Sequence, residues 1–143
     1  MSNDPDYKMV ESYFGGYPVV ELLHNGGPIT EFDQNFKFGV KKAMLFLACM
    51  SVVKELALTP LGEIPDIEMR RTVVDKVTGT SILVQFFREF ERPDGRRIEV
   101  PWVKLTSVRD PKVHIGFGQR KAKALWELRN EIANWADYPI EKL

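Results

Sequence analysis

The hydrophobic positions of this chain follow two periods that alternate along the sequence. Alternation of apolar and polar residues is typical of strands with one buried face, and it predicts six strands. They are Tyr17–His24, Ile29–Phe38, Met69–Val77, Ser81–Glu91, Arg96–Thr106 and Val113–Phe117. Helical spacing predicts two helices, Val40–Leu58 and Gln119–Trp135. Each helix directly follows a strand, so the pattern predicts strands and then a helix, twice.

The segment Arg92–Gly95 separates two of these strands, and its proline and glycine are typical of a hairpin turn. In the strand before the turn, the even positions form an apolar face and the odd positions form the other face. The two faces are Ile82, Val84, Phe86 and Phe90, and Leu83, Gln85, Phe87, Glu89 and Glu91. In the strand after the turn, Pro101 indicates an edge or a bulge, because proline lacks a backbone N–H.

A short sequence pattern occurs twice with a constant separation of 79 residues. The matched positions are Phe38-Gly39 and Phe117-Gly118, Lys42-Ala43 and Lys121-Ala122, Val53 and Ile132, and Leu56-Ala57 and Trp135-Ala136. We infer an α+β fold of two pseudo-repeated units, each made of antiparallel strands followed by a helix. The first unit has fewer residues before its helix, and we expect it to be truncated.

A chain of 143 residues is long enough for one domain with a core and too short for two ordinary domains. We therefore expect a single domain over residues 1–143, with units at about 9–58 and 67–136 joined by a linker at about 59–66. Residues 1–8 are mostly polar, and we expect them to be a disordered lead-in.

The first predicted helix, Val40–Leu58, is apolar around most of its circumference. A helix of this kind is either buried within its own chain or enclosed between partners. Both interpretations stay open at this point. In the second, the helix is a subunit interface and the protein is a homo-oligomer.

The composition is that of a globular protein, with 44% apolar and 28% charged residues. Twenty basic and twenty acidic residues cancel, so no global field attracts nucleic acid or a membrane. Charge is nevertheless segregated, because the segment Asp66–Lys123 has 13 basic and 8 acidic residues, a net charge of +5.

The single cysteine, Cys49, lies in an apolar helical run and cannot form a disulfide within the chain. The polar N-terminal residues lack the apolar stretch of a signal peptide, and the most apolar segment, Ala43–Val53, is too short to span a bilayer. We therefore expect a cytoplasmic protein without membrane association.

No sequence motif of a known catalytic or metal site is present. The two histidines, His24 and His114, lie in or beside predicted strands without a second ligand type next to them. The carboxylates are abundant but scattered. We expect no enzyme activity, no cofactor and no metal site.

The predicted central hairpin combines aromatic and basic residues on a sheet. Single-stranded nucleic acid is bound by this combination, because bases stack on aromatic rings while cations neutralise phosphates. The candidate contacts are Arg88, Arg92, Arg96, Arg97 and Lys104, with Phe87 and Trp102 as stacking platforms. The alternative is that the aromatic residues belong to the core and the arginines keep a sheet edge soluble.

Both predicted helices open with basic residues, Lys41-Lys42 and Arg120-Lys121. Cations at a helix N-terminus oppose the helix dipole, so this sign is unfavourable by itself. It favours a bound anion, such as a phosphate backbone lying across the two helix starts. The alternative is that the pattern was retained from a duplicated ancestor without a function.

The stretch Ile82–Pro101 resembles the positive-cofactor-type transcriptional coactivators in Arg88-Glu89-Phe90, Gly95 and the basic return Arg96-Arg97. The strand and helix of Val113–Trp135 are similar to those that close the related Whirly and Pur-alpha folds. The resemblance covers roughly Met69–Trp135. It implies a Whirly-like fold, a single-stranded nucleic-acid site on a sheet face, and assembly through helices into dimers or tetramers.

Two functional hypotheses follow. The first is a protein that binds single-stranded DNA, in preference to RNA, largely without sequence readout, through the basic and aromatic sheet face. The second is a non-catalytic structural or regulatory protein-interaction module that oligomerises through Val40–Leu58.

Overall fold

The computed structural model describes residues 7–31, 34–60 and 63–143, and within them the chain has the predicted α+β fold with strands followed by helices. The strands are β1 (Tyr7–Phe14), β2 (Tyr17–His24), β3 (Gly27–Pro28), β4 (Thr30–Glu31), β5 (Gln34–Asn35), β6 (Lys37–Gly39), β7 (Arg70–Val74), β8 (Ser81–Glu91), β9 (Arg97–Ser107) and β10 (His114–Gly118). The helices are α1 (Val40–Ala48), α2 (Met50–Leu58), α3 (Gln119–Glu127) and α4 (Arg129–Trp135), followed by a short 3-10 helix, Ile140–Lys142.

The first sheet is built on the hairpin of β1 and β2, and β2 also pairs with β3 and β6. Gly15 and Gly16 form the two-residue turn of the hairpin, with φ of 59° and 84°. Two consecutive residues with positive φ match the right-handed twist of a tight hairpin, and glycine adopts this conformation without steric cost. Sequence reasoning missed β1, and Tyr7 and Lys8 belong to this strand rather than to a disordered lead-in. The rest of that lead-in, residues 1–6, lies outside the described part of the chain.

The second sheet has the order β10-β9-β8-β7 with all neighbours antiparallel. Ile82, Val84 and Phe86 of β8 are buried, as the alternation predicts. The register then shifts between Phe87 and Glu89, and Phe90 pairs with Ile98. Two residues of β9, Val100 and Pro101, lie opposite Arg88 alone, which confirms the bulge that Pro101 indicated. Beyond this bulge Phe90 is only half-buried, so the prediction that it continues the buried face is wrong.

Each predicted helix is two helices that meet at a single non-helical residue, Cys49 in the first unit and Leu128 in the second. These two residues are also 79 positions apart, and so are Gly39 and Gly118, which precede the helices in extended conformations. The predicted helices Val40–Leu58 and Gln119–Trp135 are therefore each interrupted once, at equivalent positions, and predicting them as continuous was wrong. The shared break is independent support for two repeated strand-and-helix units.

The central strands of the two sheets are also equivalent. Val20 of β2 pairs with Phe38, and Val103 of β9 pairs with Phe117, which is the residue that repeats Phe38. Both valines are fully buried. The first sheet has no counterpart of β7 among the described residues, in agreement with a truncated first unit.

The two units interlock through their helices. Helix α1 follows the first sheet but also packs against β9 and β10 of the second sheet, while α3 packs against β2 of the first. Phe46 in α1 contacts Phe38 of its own unit and Phe117 of the other, with ring centroids 4.8 and 6.2 Å apart. The side chain of Gln119 at the start of α3 donates a hydrogen bond to the Thr59 carbonyl at the end of α2, at 2.9 Å. This bond satisfies a carbonyl that the helix itself leaves unpaired.

Most of the apolar circumference of α1 and α2 is covered within the chain, and Leu58 at the end of α2 is exposed. Nine residues of these two helices are buried, namely Ala43, Leu45, Phe46, Leu47, Met50, Val52, Val53, Leu56 and Ala57. The pattern that suggested a subunit interface is therefore explained by burial between two sheets and α3. Oligomerisation through Val40–Leu58 stays a prediction, and the apolar pattern that motivated it no longer requires a partner subunit.

Phe46→Ala should destabilise both units together, because this ring joins the two halves of the core. We expect the free energy of unfolding to fall by about 3–5 kcal/mol, the usual cost of such a truncation. Urea denaturation followed by circular dichroism and by tryptophan fluorescence measures it, with the exposed Leu58→Ala as the control on the adjoining helix. A second, separate transition in either variant would contradict a single shared core.

Candidate nucleic-acid interface

The two aromatic residues predicted to stack with bases, Phe87 and Trp102, stack with each other. The rings of Phe87 and Trp102 lie 4.4 Å apart at an interplanar angle of 17°, and Phe90 packs edge-on against Trp102 at 5.7 Å. The Trp102 indole N–H donates a hydrogen bond to the Glu89 carbonyl at 2.7 Å. These rings stabilise the far end of the hairpin, where the sheet extends beyond the core. A base could reach only the ring faces that this cluster leaves uncovered.

The predicted arginines of the hairpin are accompanied by an equal number of carboxylates. The segment 88–99 contains four arginines and four acidic residues. Arg96 forms an ion pair with Asp94 at 3.6 Å, and Arg97 lies directly opposite Glu91 in the ladder. Arg88 and Arg92 are exposed in the same segment. Local compensation of this kind reduces the attraction of the hairpin for phosphate.

Lys104 lies on the same face of β9 as Trp102, opposite Gln85 of β8. Phe87, Trp102 and Lys104 are therefore brought together on the outer face of the second sheet. The four hairpin arginines lie farther along the hairpin than Lys104, beyond the part of β9 that pairs with β10.

The basic residues in the first turns of α1 and α3 have different environments in the two units. Lys121 is only 4% exposed, and its Nζ lies 5.1 Å from the centre of the Phe36 ring. Arg120 beside it donates a hydrogen bond to the Thr30 carbonyl at 3.4 Å. These residues connect the second unit to the first. Lys41 and Lys42 occupy the equivalent positions in the first unit, where Lys41 is exposed and Lys42 is half-buried.

Lys41 and Lys42 line a cleft of about 890 Å³ at the tip of the first hairpin. We call it the tip cleft. It is lined by Ser12, Tyr13, Phe14, Tyr17, Pro18, Val19, Lys37, Phe38, Gly39, Val40, Lys41, Lys42, Lys112 and Val113. Among these lining residues four are lysines and none is acidic.

Three aromatic rings beside the lysines are strongly exposed. Tyr13, Phe14 and Tyr17 have 78%, 79% and 75% of their surface accessible. They flank the Gly15-Gly16 turn, so the backbone geometry of the turn holds them at the end of the sheet. Rings of this size are usually buried, and a cluster of exposed rings marks an interaction surface.

Elements from both units position the lysines of the tip cleft. Lys37 lies in β6, Lys41 and Lys42 lie in the first turn of α1, and Lys112 precedes β10. A second cleft of about 420 Å³ shares Lys41 and Val113 with the tip cleft. The lining of this second cleft also includes Asp75 and Asp110, so the absence of acidic residues is particular to the tip cleft.

Sequence reasoning identified only Lys41 and Lys42 of this site. It missed the three rings and the two other lysines. The stretch from Tyr13 to Tyr17, Y-F-G-G-Y, has aromatic residues on both sides of a two-glycine turn. That pattern places rings at a hairpin tip, beyond the reach of a core, and it could have indicated the site.

A separate buried cluster surrounds Asp75, which is 2% exposed. Its carboxylate accepts hydrogen bonds from the Thr78 hydroxyl at 2.7 Å, the Val77 N–H at 3.0 Å and the Tyr138 hydroxyl at 3.0 Å. Burial and then the bond to Asp75 raise the pKa of Tyr138 to about 12. Burial also raises the pKa of the Cys49 thiol to about 12, with a smaller opposing effect of Arg71. A satisfied carboxylate and protonated neighbours make this cluster a structural anchor for the C-terminal segment.

Tyr7 stacks on His24 with ring centroids 4.6 Å apart, at the end of the first hairpin away from the tip. Burial, and then the charge of Glu127, raise the pKa of Tyr7. Neither residue lines the tip cleft.

Within the described ranges, no group of three His, Cys, Asp or Glu residues is placed to hold a metal ion. In the same ranges, no helix combines the length and apolar character needed to cross a membrane. Comparisons with protein families, with curated protein sequences and with solved structures gave no match.

The different roles of Lys42 and Lys121 can be tested by matched truncations. Lys121→Ala removes a buried side chain that covers Phe36, and we expect it to lower the free energy of unfolding by about 1–3 kcal/mol. Lys42→Ala at the equivalent position should change it by less than about 0.5 kcal/mol. Urea denaturation of both variants measures the difference. Equal effects would show that the two positions have the same role.

The Cys49 thiol should be almost unreactive in the folded protein. With a pKa of about 12, a fraction of only about 10⁻⁴ is thiolate at pH 8, and the thiolate is the reactive form. We expect alkylation by iodoacetamide at pH 8 to be at least about 10³-fold slower in native buffer than in guanidinium. Cys49 is the only cysteine, so mass spectrometry of the intact chain reports it directly. Similar rates in both conditions would contradict the burial of this thiol.

Proposed function

We propose that this protein binds single-stranded nucleic acid in the tip cleft, largely without sequence readout. One observation carries this proposal: three exposed aromatic rings border a cleft whose lining includes four lysines and no described acidic residue. The predicted central-hairpin site offers less for the same purpose, because its rings pair with each other and its arginines are balanced by carboxylates.

The two types of side chain would contact different parts of the ligand. Bases would stack on Tyr13, Phe14 and Tyr17, and each stacked base contributes about 1–3 kcal/mol in comparable sites. The lysines would neutralise phosphates, and neutralisation releases the counterions that are condensed on the strand. Neither contact reads a base edge, so little sequence preference is expected.

The start of α1 favours an anion in the same place. Lys41 and Lys42 lie in the first turn of the helix, where the positive end of the dipole also lies. A lysine in this position is unfavourable in an empty site and favourable beside a phosphate. The first turn of α1 has no acidic residue.

Exposed rings favour a single strand over a duplex. In a duplex the bases already stack on each other, so the rings of Tyr13, Phe14 and Tyr17 would have only the ends and the backbone to contact. Neither kind of contact distinguishes deoxyribose from ribose. We therefore expect DNA and RNA strands of equal length to bind with similar affinity unless an additional residue contacts the 2′-hydroxyl.

Binding should weaken steeply with salt. Single strands give a slope of about −0.7 in log affinity against log salt for each neutralised phosphate. With about four lysine contacts, the affinity should fall about 50-fold between about 50 and 200 mM salt. Fluorescence anisotropy with labelled oligo-dT, oligo-U and a duplex of equal length measures this. Absence of binding to all three at low salt would reject the proposal and favour a protein-interaction role.

Matched variants locate the site. Lys41→Gln/Lys42→Gln should reduce the salt slope by about 1.4, and Phe14→Ala should weaken binding by about 5-fold or more at constant slope. Arg96→Ala/Arg97→Ala, in the predicted central-hairpin site, is the control and should have the smaller effect. The opposite order of effects would place the strand on the central hairpin instead.

A further inference from the structure

β1 is an edge strand whose outer side is open in the described structure. It pairs with β2 along its whole length of eight residues, and the first sheet continues from β2 to β3 and β6. In the second unit, β8 is the counterpart of β1, and its outer side pairs antiparallel with β7. The two units therefore differ by one strand at this edge.

The pairing registers show which residues of the two edges correspond. Val20 pairs with Glu11 on one side and Phe38 on the other, and Val103 pairs with Phe86 and Phe117 in the same way. Glu11 is thus the counterpart of Phe86. The backbone N–H of Phe86 donates a hydrogen bond to the Met69 carbonyl at 2.9 Å, just beyond the start of β7.

The backbone groups of β1 that point to the open side follow from the hairpin turn. Phe14 and Tyr17 close the two-residue turn as a hydrogen-bonded pair, and such pairs alternate along an antiparallel ladder. Every second residue before Phe14 therefore directs its N–H and C=O away from β2. These residues are Tyr7, Met9, Glu11 and Tyr13.

Two of the usual features that prevent strand addition, proline and a bulge, are absent from this edge. The segment Tyr7–Phe14 contains no proline, and its pairing with β2 has no bulge. Val10 in its centre is 45% exposed. Lys8 and Glu11 are its only charged residues, so two copies of the strand carry no net repulsion. An edge of eight residues without proline or bulge is able to pair with a further strand.

We propose that the occupant of this edge is β1 of a second copy of the chain, in antiparallel orientation. An antiparallel strand paired with its own copy has two-fold symmetry, so the contact closes after two subunits and both open edges disappear together. The two first sheets then form one continuous sheet. This inference does not rest on nucleic-acid binding, and it uses a surface different from the apolar helices α1 and α2.

One pairing register of the two β1 strands aligns their outward backbone groups and also places apolar side chains opposite each other. Two-fold pairing about Val10 places Met9 opposite Glu11 of the second copy and Tyr7 opposite its Tyr13, so the outward-pointing backbone groups face each other. It forms about eight hydrogen bonds between the strands. The two Val10 side chains meet across the axis, and the Tyr7–Tyr13 pairs provide aromatic cross-strand contacts.

A charge placed at the two-fold axis tests the dimer. In Val10→Lys, two lysines face each other, and we expect the dimer dissociation constant to rise more than about tenfold because like charges directly opposite are destabilising. The matched control is Val74→Lys in β7, the edge strand of the second sheet, where the valine is 59% exposed. Sedimentation equilibrium over a range of protein concentrations measures both variants and the unmodified chain, and circular dichroism checks that each variant is folded.

Amide hydrogen exchange gives a second readout that does not depend on a variant. The outward N–H groups of Met9 and Glu11 should become protected as protein concentration rises, while amides of β7 should not change. A monomer at all concentrations would overturn the proposal, and so would a dimer that Val10→Lys leaves intact. A monomer that gains protection at β1 only with an added peptide would show that an extended peptide, and not a second copy, is the occupant.

Discussion

The structure depends on the burial of one apolar helix pair between two sheets. α1 and α2 expose only a narrow stripe, namely Lys41, Ser51, Lys54, Glu55 and Leu58, and most of their remaining surface is apolar and has to be enclosed by the chain. The second unit provides that enclosure with β9, β10 and α3, while Phe46 contacts aromatic rings from both units. The two halves of the duplicated chain are therefore stable as one body.

The packing of the second unit around α1 and α2 also explains why equivalent positions of the two units have different environments. The start of α3 is buried against the first unit, and Lys121 covers Phe36 there. The start of α1 lies at the surface, and Lys41 and Lys42 line an open cleft there. The same basic sequence is thus a packing element in one unit and a candidate phosphate contact in the other.

Much of the fold could be predicted from periodicity. Five of the six alternating segments contain or overlap one strand each, β2 and β7 to β10, and the helices lie where the helical spacing indicates. The sixth, Ile29–Phe38, was predicted as one strand but is divided among β4, β5 and β6. The bulge was also indicated, because Pro101 lies in it, opposite Arg88. The breaks at Cys49 and Leu128 could not be predicted, because the local sequence there contains no glycine or proline to signal them. The first strand was missed because an edge strand with a mostly exposed surface has no alternating pattern.

The sequence by itself determined the α+β class and the duplication, because hydrophobic spacing is set by local backbone geometry and repeats with the chain. Only the tertiary structure decided which basic and aromatic residues share a surface. Lys37, Lys112 and the rings around Gly15 are distant in sequence and meet because β6, β10 and the first hairpin end at one side of the molecule. The position of Arg97 opposite Glu91 in the central hairpin likewise depends on strand register, which a sequence pattern alone does not fix.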